Sequence, residues 1–376
     1  AFNFIRGDQS GELANGGSFR DRSTVLGDII HSTTTFTGPP RSRYADNWGT
    51  GAPENSFPYS DFKSDNSGRK PLVYVGANDG MYHAFDATTL VEQFAFIPNS
   101  IFDKLNDLTD PNYSHQYTVN GGASVIDAFF SNDWHTVLVS GLGRGGQGLF
   151  ALDLTDPETD FVNETSGAGQ VLFEFTDSDD ADLGYTYGQP SIVRLQNGKW
   201  AAVIGNGYNN TEADGTPSTT GNAVIYLIDI ETGALISKFD TGVGTAQDPD
   251  QDPITGQRPN GMATPAVIDL NGDNIADAIY AGDLFGNVWK LDISGAQSTW
   301  KFAFDSGVAI NSTTQKTPLF TACAGNTCSA TNLQPITTQP QVVRHQTLPG
   351  FLVYFGTGQY FEVGDNTPAG QVTQSF

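Results

Sequence analysis

The sequence is poor in positive charge. It has 18 Lys and Arg residues against 42 Asp and Glu residues, which gives a formal net charge of −24. Proteins that bind nucleic acid need a basic surface against the phosphates, so nucleic acid is excluded as a partner. The acidic residues comprise 33 Asp and only 9 Glu. Because Asp favours turns and Glu favours helices, this ratio predicts a β-rich chain with many turns.

Long apolar runs are also lacking. No stretch approaches the roughly 18 apolar residues that a membrane-spanning helix needs, so no membrane span is expected. The chain starts at Ala1 without the basic and apolar regions of a signal peptide, and it stops at Phe376 within another alternating segment, QVTQSF. We therefore interpret both ends as cut from a longer chain.

Cysteine occurs only twice, as Cys323 and Cys328 in the segment TACAGNTCSA. No third Cys or nearby His is available to complete a zinc site. The short spacing favours a small disulfide loop and, with it, an oxidising compartment outside the cytoplasm. Two free, buried thiols are the alternative.

Motifs of common enzymes are missing. The five His residues are scattered, and the sequence contains no HExxH, no GxSxG and no P-loop. The segment GLGRGGQG at 141–148 joins two β-type segments and opens no helix, so a hairpin turn is favoured over a phosphate-binding loop. The sequence thus predicts a protein that is not an enzyme.

The dominant positive feature is an internal repeat. Five segments share the pattern of an apolar strand, a Gly-rich turn and a second apolar strand. They span residues 71–87, 135–154, 199–230, 277–293 and 350–365. A further short strand precedes each later copy, at 121–130, 188–195, 262–270 and 338–345. Units of three or four antiparallel strands that recur along the chain in this way predict an all-β fold. We interpret it as a modified β-propeller with long insertions between strands.

The propeller is predicted to form a single domain over residues 1–376. Residues 1–65 are less regular and are expected to lead into the first blade. One short helix is predicted near 100–109, with Ser100 as its N-cap and Ile101, Leu105 and Leu108 on one face.

One acidic segment has the spacing of a calcium loop. Oxygen-bearing side chains stand at positions 1, 3, 5 and 9 of the segment 269–277, and position 7 offers a backbone carbonyl. The predicted ligands are Asp269, Asn271, Asp273, Ile275 and Asp277. Calcium takes 6–8 oxygen ligands, and Gly272 permits the sharp turn that such a loop requires. The alternative is a hairpin turn whose Asp and Asn side chains bind only its own backbone.

Three weaker signals remain. Two further acidic clusters are interpreted as solvated loops, with a second cation site as the alternative. They consist of Asp177, Asp179, Asp180 and Asp182 in one case, and of Asp248, Asp250 and Asp252 in the other. The tripeptide Arg6-Gly7-Asp8 matches an integrin-recognition motif, but a turn glycine flanked by two charged residues is the favoured interpretation.

Several segments together resemble the C-terminal domain of the PilY/PilC family of proteins associated with the type IV pilus tip. They are FRDRSTVLGDIIHS (19–32), VYVGANDGMYHAFDA (73–87), GRGGQGLFALDLTDP (143–157), LGYTYGQPSIVR (183–194), IGNGYN (204–209), the long segment 260–292 and YFGTGQYF (354–361). The resemblance implies a modified β-propeller with a nine-residue calcium loop, which maps onto the segment 269–277.

The resemblance also implies a role in pilus biogenesis, twitching motility and opposition to pilus retraction. It implies attachment to host or abiotic surfaces, major or minor pilin subunits as partners, and a place at the pilus tip or outer membrane of a Gram-negative bacterium. An adhesive region would then precede Ala1. The repeat around residues 73–87 also resembles the blades of quinone-dependent dehydrogenases, which is the alternative function. Such enzymes are expected to carry a vicinal cysteine pair, and this chain has none.

Overall fold

The computed structural model describes residues 1–212, 215–249, 257–310, 313–325, 327–329, 332–361, 365 and 373–376. The chain divides into two compact units. Unit 1 comprises Ala1–Thr176, Tyr185–Gln189 and Glu231–Gly233, and unit 2 comprises Asp177–Gly184, Pro190–Ile230 and Ala234–Phe376. The single domain predicted over residues 1–376 stays a prediction.

Unit 1 contains two four-stranded antiparallel sheets. The strands of the first are β1 (Thr35–Thr37), β2 (Leu72–Gly76), β3 (Tyr82–Asp86) and β4 (Glu92–Phe96). Those of the second are β5 (Ala123–Phe130), β6 (Asp133–Gly141), β7 (Gly148–Asp153) and β8 (Val171–Thr176). In each sheet the spatial order equals the chain order, which is the pattern of a propeller blade.

The two sheets of unit 1 share one core. Tyr74 and Tyr82 of the first sheet and Leu138 and Phe150 of the second are fully buried in the same cluster. Successive side chains of a strand point to opposite faces of its sheet, and β7 is buried at every position, so both of its faces are covered. The irregular segment 1–65 contains β1, which pairs with β2 of the first sheet.

Unit 2 contains one four-stranded and one five-stranded antiparallel sheet. The first has the strands β9 (Ser191–Arg194), β10 (Trp200–Gly205), β11 (Val224–Asp229) and β12 (Leu235–Asp240), again in chain order. The second has β13 (Ala266–Ile268), β14 (Ala278–Gly282), β15 (Asn287–Asp292) and β16 (Lys301–Phe302). Buried Val203, Leu227, Ile279 and Trp289 from the two sheets form one core.

Two strand pairs and one additional strand follow in unit 2. Strands β17 (Asp305–Ile310) and β18 (Thr313–Lys316) form a pair, β19 (Phe320–Thr321) adds to β15, and β20 (Gln341–Arg344) pairs with β21 (Phe351–Tyr354). The first four predicted repeats are the hairpins β2–β3, β6–β7, β10–β11 and β14–β15. The fifth contains β21, and its residues 362–364 lie outside the described part of the chain.

Helices are few and short. The α-helices are α1 (Phe2–Ile5), α2 (Tyr59–Asp65), α3 (Pro157–Asp160) and α4 (Glu164–Ala168). Short 3-10 helices lie at Leu13–Asn15, Pro53–Ser56, Asn99–Lys104, Asp107–Thr109, Gly143–Gly145, Thr245–Gln247 and Gln297–Thr299. None of the helices in the described ranges has the length and apolar character needed to cross a bilayer.

The helix predicted near 100–109 needs correction. The segment forms the two 3-10 turns Asn99–Lys104 and Asp107–Thr109, and Ser100 lies inside the first turn instead of capping it. The carboxylate of Glu174 in β8 accepts hydrogen bonds from the backbone N–H groups of Asn99 (2.7 Å) and Ser100 (3.2 Å). A distant side chain therefore satisfies the free N–H groups that a local cap would otherwise take.

Candidate metal-binding loop

The acidic segment 269–277 connects two neighbouring strands of unit 2. Strand β13 pairs with β14 so that Ile268 lies opposite Ala278, and the nine residues between them form the connection. Gly272 and Asn274 have positive φ angles of 88° and 65°. These two residue types tolerate the left-handed region best, which explains how so short a connection can fold back repeatedly.

The first carboxylate organises the loop by binding its backbone. Asp269 Oδ1 accepts hydrogen bonds from the N–H groups of Gly272 (2.6 Å) and Asn271 (3.1 Å), and Oδ2 accepts one from Asn274 (2.7 Å). Asp273 Oδ1 accepts one from Ile275 N–H at 2.9 Å. These contacts are turns of the Asx type, in which a side chain replaces a backbone acceptor.

The last carboxylate of the loop is buried. Asp277 is only 4% exposed, whereas Asp269, Asn271 and Asp273 are exposed. Its Oδ2 accepts a hydrogen bond from Leu270 N–H (2.8 Å), and its Oδ1 accepts one from Gln196 Nε2 (3.2 Å). Asp277 therefore anchors the loop to unit 2, and the other three side chains face solvent.

Two contacts from elsewhere in unit 2 hold the loop in place. The N–H of Ala276 donates to Arg194 O at 2.9 Å, and Arg344 Nη2 donates to Leu270 O at 2.8 Å. Arg344 thus contacts a backbone carbonyl, and within the described ranges no ion pair joins a Lys or Arg to the three carboxylates of the loop. The three carboxylates of the loop therefore have no Lys or Arg partner among the described residues.

The donor set of the loop matches a hard cation in chemistry. All five predicted ligands offer oxygen, as calcium prefers. The described residues nevertheless contain no group of three His, Cys, Asp or Glu side chains gathered closely enough to hold a metal, because Asp269 and Asp273 turn toward the loop's own N–H groups. Calcium binding by Asp269, Asn271, Asp273, Ile275 and Asp277 stays a prediction.

The acidic turn at 177–182 has a counter-ion of its own. Lys238 Nζ contacts Asp180 Oδ1 and Asp182 Oδ2, each at 2.7 Å. Burial of Lys238 favours the neutral amine, but the hydrogen bonds to Asp180 and Asp182 outweigh it and raise the pKa of Lys238. The pKa of Asp182 is lowered because the bonds from Lys238 and Ser218 outweigh its burial. Lys238 is therefore the counter-ion of Asp180 and Asp182, and a second cation site in this turn stays the alternative prediction.

The second acidic cluster is only partly described. Asp248 is 1% exposed and accepts a hydrogen bond from Arg258 N–H at 2.6 Å. Asp250 and Asp252 lie outside the described residues.

Cys323 and Cys328 are joined by a disulfide, with their Cα atoms 5.3 Å apart. The bond closes a small loop in unit 2, close to the short strand β19.

The tripeptide Arg6-Gly7-Asp8 follows α1 at the surface of unit 1. Arg6 pairs with Glu164 at 2.7 Å, and both side chains are more than half exposed. Gly7 has a φ of 99°, and the exposed Asp8 accepts a hydrogen bond from Ser10 N–H at 2.8 Å. Integrin recognition by Arg6, Gly7 and Asp8 stays a prediction.

Sequence reasoning missed the partners of these acidic residues. Gln196, Lys238 and Arg344 carry no motif, and each lies far along the chain from the group that it contacts. No local pattern could have found them, because only the pairing of strands brings them together.

Comparison with known proteins identifies the family. Residues 26–375 match the family model of the PilY1 β-propeller domain. The type IV pilus biogenesis factor PilY1 of Pseudomonas aeruginosa (strain UCBPP-PA14) is 41% identical over 381 residues, covering 96% of this chain and 29% of that protein. A PilY1 homolog of Xylella fastidiosa is 38% identical over 370 residues, covering 97% of this chain and 23% of that protein.

A solved structure agrees with this family assignment. The crystal structure of the Pseudomonas aeruginosa PilY1 C-terminal domain matches with a TM-score of 0.66 and 37% identity, covering 88% of this chain and 60% of that one. A quinohemoprotein alcohol dehydrogenase from Comamonas testosteroni matches at a TM-score of 0.41 and 12% identity, which carries no argument about activity. The predicted propeller and the predicted resemblance are both confirmed. The chain spans less than a third of the length of these curated relatives, and it belongs to the PilY1 β-propeller family of type IV pilus biogenesis factors.

Proposed function

We propose that this chain is the calcium-binding propeller of a protein that supports type IV pilus assembly, opposes pilus retraction and mediates attachment to surfaces. The match of residues 26–375 to the PilY1 propeller carries the proposal. The protein would act outside the cell, at the pilus tip or the outer membrane, and contact major or minor pilins.

Calcium is proposed to bind at the segment 269–277. Three carboxylates stand within nine residues there, and two of them are exposed. Asp277 is already fixed by Leu270 and Gln196, so a bound ion would have to draw Asp269 and Asp273 toward this buried anchor. The ion would supply positive charge that neutralises the loop and would join the two ends of the hairpin.

A mechanism follows from linkage. An ion that binds only the ordered loop stabilises that state by RT ln(1 + [L]/Kd), so the calcium concentration sets the fraction of molecules with a stiff β13–β14 hairpin. If a pilus subunit binds more tightly to the chain with the stiff hairpin, calcium raises the fraction of bound chains and so favours pilus assembly over retraction. The net charge of −24 favours a setting rich in divalent cations, because cations screen the self-repulsion of the chain.

We further propose that the chain is not an enzyme. Cys323 and Cys328 are separated by four residues, so the vicinal pair expected of a quinone-dependent dehydrogenase is lacking. Addition of pyrroloquinoline quinone in a dye-linked assay with alcohols or sugars should give no turnover. Robust turnover would refute this part of the proposal.

The test of the pilus role uses the full-length parent protein in a bacterium that lacks its own copy. The wild-type gene should restore surface pili and twitching. The Asp273→Ala variant should restore them only in part and should lose any dependence on calcium. An Asp65→Ala variant serves as the control, since it removes one exposed charge from α2 of unit 1. Equal pilus numbers and motility in all three strains would contradict the regulatory role of the loop.

A further inference from the structure

A groove of 780 Å³ runs along one side of unit 1. Its walls are mostly aromatic and aliphatic. They include Phe2, Val25, Phe85, Phe94, Phe102 and Phe161. Phe2 and Phe102 are 59% and 52% exposed, and Val25 is 41% exposed. Apolar side chains that remain this accessible around one concave surface are typical of a site that binds another molecule.

Strand β4 forms one wall of the groove, which Glu92, Phe94, Ala95 and Phe96 all line. It is the last strand of its sheet, and in the fully described segment 1–176 no strand pairs with its outer edge. An edge strand offers backbone N–H and C=O groups to an incoming extended chain. The groove therefore combines an apolar surface with a free strand edge, whose backbone groups can form hydrogen bonds with an added strand.

The charges along the groove are mainly acidic. Glu92 is half exposed, and Glu164 is 75% exposed. Their partners are His83, which also contacts Asp79, and the exposed Arg6. Asp79, Glu92 and Glu164 thus outnumber the two basic groups. A basic ligand complements this rim, and a second copy of a chain with a net charge of −24 would be repelled by it.

We propose that this groove binds an extended, basic segment of another protein, which adds to the outer edge of β4 as a further strand. Alternate apolar side chains of the segment fill the groove between Phe2 and Phe102, and an intervening Lys or Arg lies beside Glu92. The proposal does not depend on the calcium loop, which belongs to unit 2, so either can fail without the other.

The test uses the whole chain and a labelled, capped eight-residue peptide of alternating Val and Lys. Fluorescence anisotropy should show saturable binding, at least tenfold tighter than that of the matching Val and Glu peptide. A Val and Lys peptide N-methylated at every second residue cannot donate backbone hydrogen bonds from that edge. Two such peptides are measured, one methylated at the odd residues and one at the even residues. The peptide whose methyl groups face β4 should bind at least tenfold more weakly than the unmethylated peptide.

Variants locate the site. The double variant Phe2→Ala, Phe102→Ala should bind the Val and Lys peptide at least tenfold more weakly, since it removes two exposed rings from the groove. Leu90→Ala is the matched control, because Leu90 is 71% exposed and does not line the groove. Its affinity should stay within twofold of the wild type, and thermal melting should show that both variants remain folded.

Four results would overturn the proposal. They are the absence of saturable binding, equal affinity for the Lys and Glu peptides, full affinity of both methylated peptides, and full affinity of the double variant. Two further results would assign another occupant and equally overturn it. Dimerisation that the double variant abolishes would identify a second copy, and vesicle binding that it abolishes would identify a lipid surface.

Discussion

Two acidic turns of unit 2 differ in how the repulsion between their carboxylates is offset. In the turn at 177–182, Lys238 places its ammonium group between Asp180 and Asp182. In the loop at 269–277, the carboxylates of Asp269 and Asp273 bind only N–H groups of the loop and of the Asn271 side chain. The turn at 177–182 is thus neutralised by a lysine of the protein itself, whereas the described part of unit 2 supplies no Lys or Arg to the carboxylates of the loop at 269–277.

The difference shows why acidic composition alone does not identify a metal site. Both segments are dense in Asp, and both looked capable of holding a cation. What separates them is a lysine on β12, more than 50 residues from its partners. A carboxylate cluster that has an internal ammonium gains little from calcium, whereas one without it must bind an ion or tolerate repulsion.

Unit 1 contains a third arrangement. His83 is buried between Asp79 and Glu92, with Nδ1 2.6 Å from Glu92 Oε1 and Nε2 3.1 Å from Asp79 Oδ1. Burial disfavours the charged imidazole, but the hydrogen bonds to the two carboxylates outweigh it and raise the pKa of His83 to about 9. Here the internal cation is titratable, so its presence depends on pH.

The largest expected effect is on calcium binding by the loop. Asp273→Ala removes one of its three carboxylates, and we expect at least a 100-fold loss of calcium affinity by calorimetry. Asp182→Ala should leave the affinity within threefold, because Lys238 already neutralises that turn. Both variants should keep the wild-type circular dichroism spectrum. Unchanged binding in the Asp273→Ala variant would remove the site assignment.

The next effect concerns Lys238. Lys238→Met keeps the length of the side chain but leaves Asp180 and Asp182 without their ammonium, and we expect a loss of about 2–3 kcal/mol in the free energy of unfolding. Urea denaturation measures it. Lys199→Met is the control, since Lys199 pairs with Asp229 but is 57% exposed, and it should cost about 1 kcal/mol or less. Equal costs for the two variants would show that Lys238 is not the essential counter-ion.

The pH dependence of stability should report on His83. Because its pKa is about 9 in the folded chain and about 6.5 when unfolded, the protonated imidazole stabilises the fold fully below pH 6.5. The difference between the two pKa values corresponds to about 3.4 kcal/mol, which is lost as pH rises through 9. Because Glu92 is half exposed and solvent screens its charge, we expect a measured loss of about 2 kcal/mol. Urea denaturation at several pH values should show this decrease in the wild type and in the exposed-histidine control His115→Gln. A His83→Gln variant with the same decrease would contradict the assignment.

The smallest effect is the stabilisation of the wild type by calcium. At a calcium concentration ten times Kd, linkage gives about 1.4 kcal/mol, or an increase in Tm of roughly 2 °C for a chain of this size. Differential scanning calorimetry in calcium and in chelator measures it. The Asp273→Ala variant should melt at one temperature in both. Identical melting of the wild type in both solutions would argue against a structural role for the ion.

The sheets of this protein were predictable because their signals are local. Alternation along Val73, Val75, Ile225 and Leu227, together with Gly and Asn at the turns, specifies hairpins from residues that are adjacent in sequence. The position of the loop at 269–277 was predictable for the same reason. The helix near 100–109 was not, because Glu174 of a distant strand binds the N–H groups of Asn99 and Ser100, so that the 3-10 segment begins at Asn99, before the expected cap.

The amino-acid sequence by itself therefore determined the repeated hairpins, the acidic connection between β13 and β14 and the family to which the chain belongs. Only the tertiary structure decided which acidic residues receive a cation from the protein, through Lys238 and His83, and which do not. It also brought α1, β4 and α4 together around the groove of unit 1. The physical reason is distance along the chain: hydrogen-bond and turn preferences act between near neighbours, whereas charge pairing and grooves require segments that meet only after the strands have assembled.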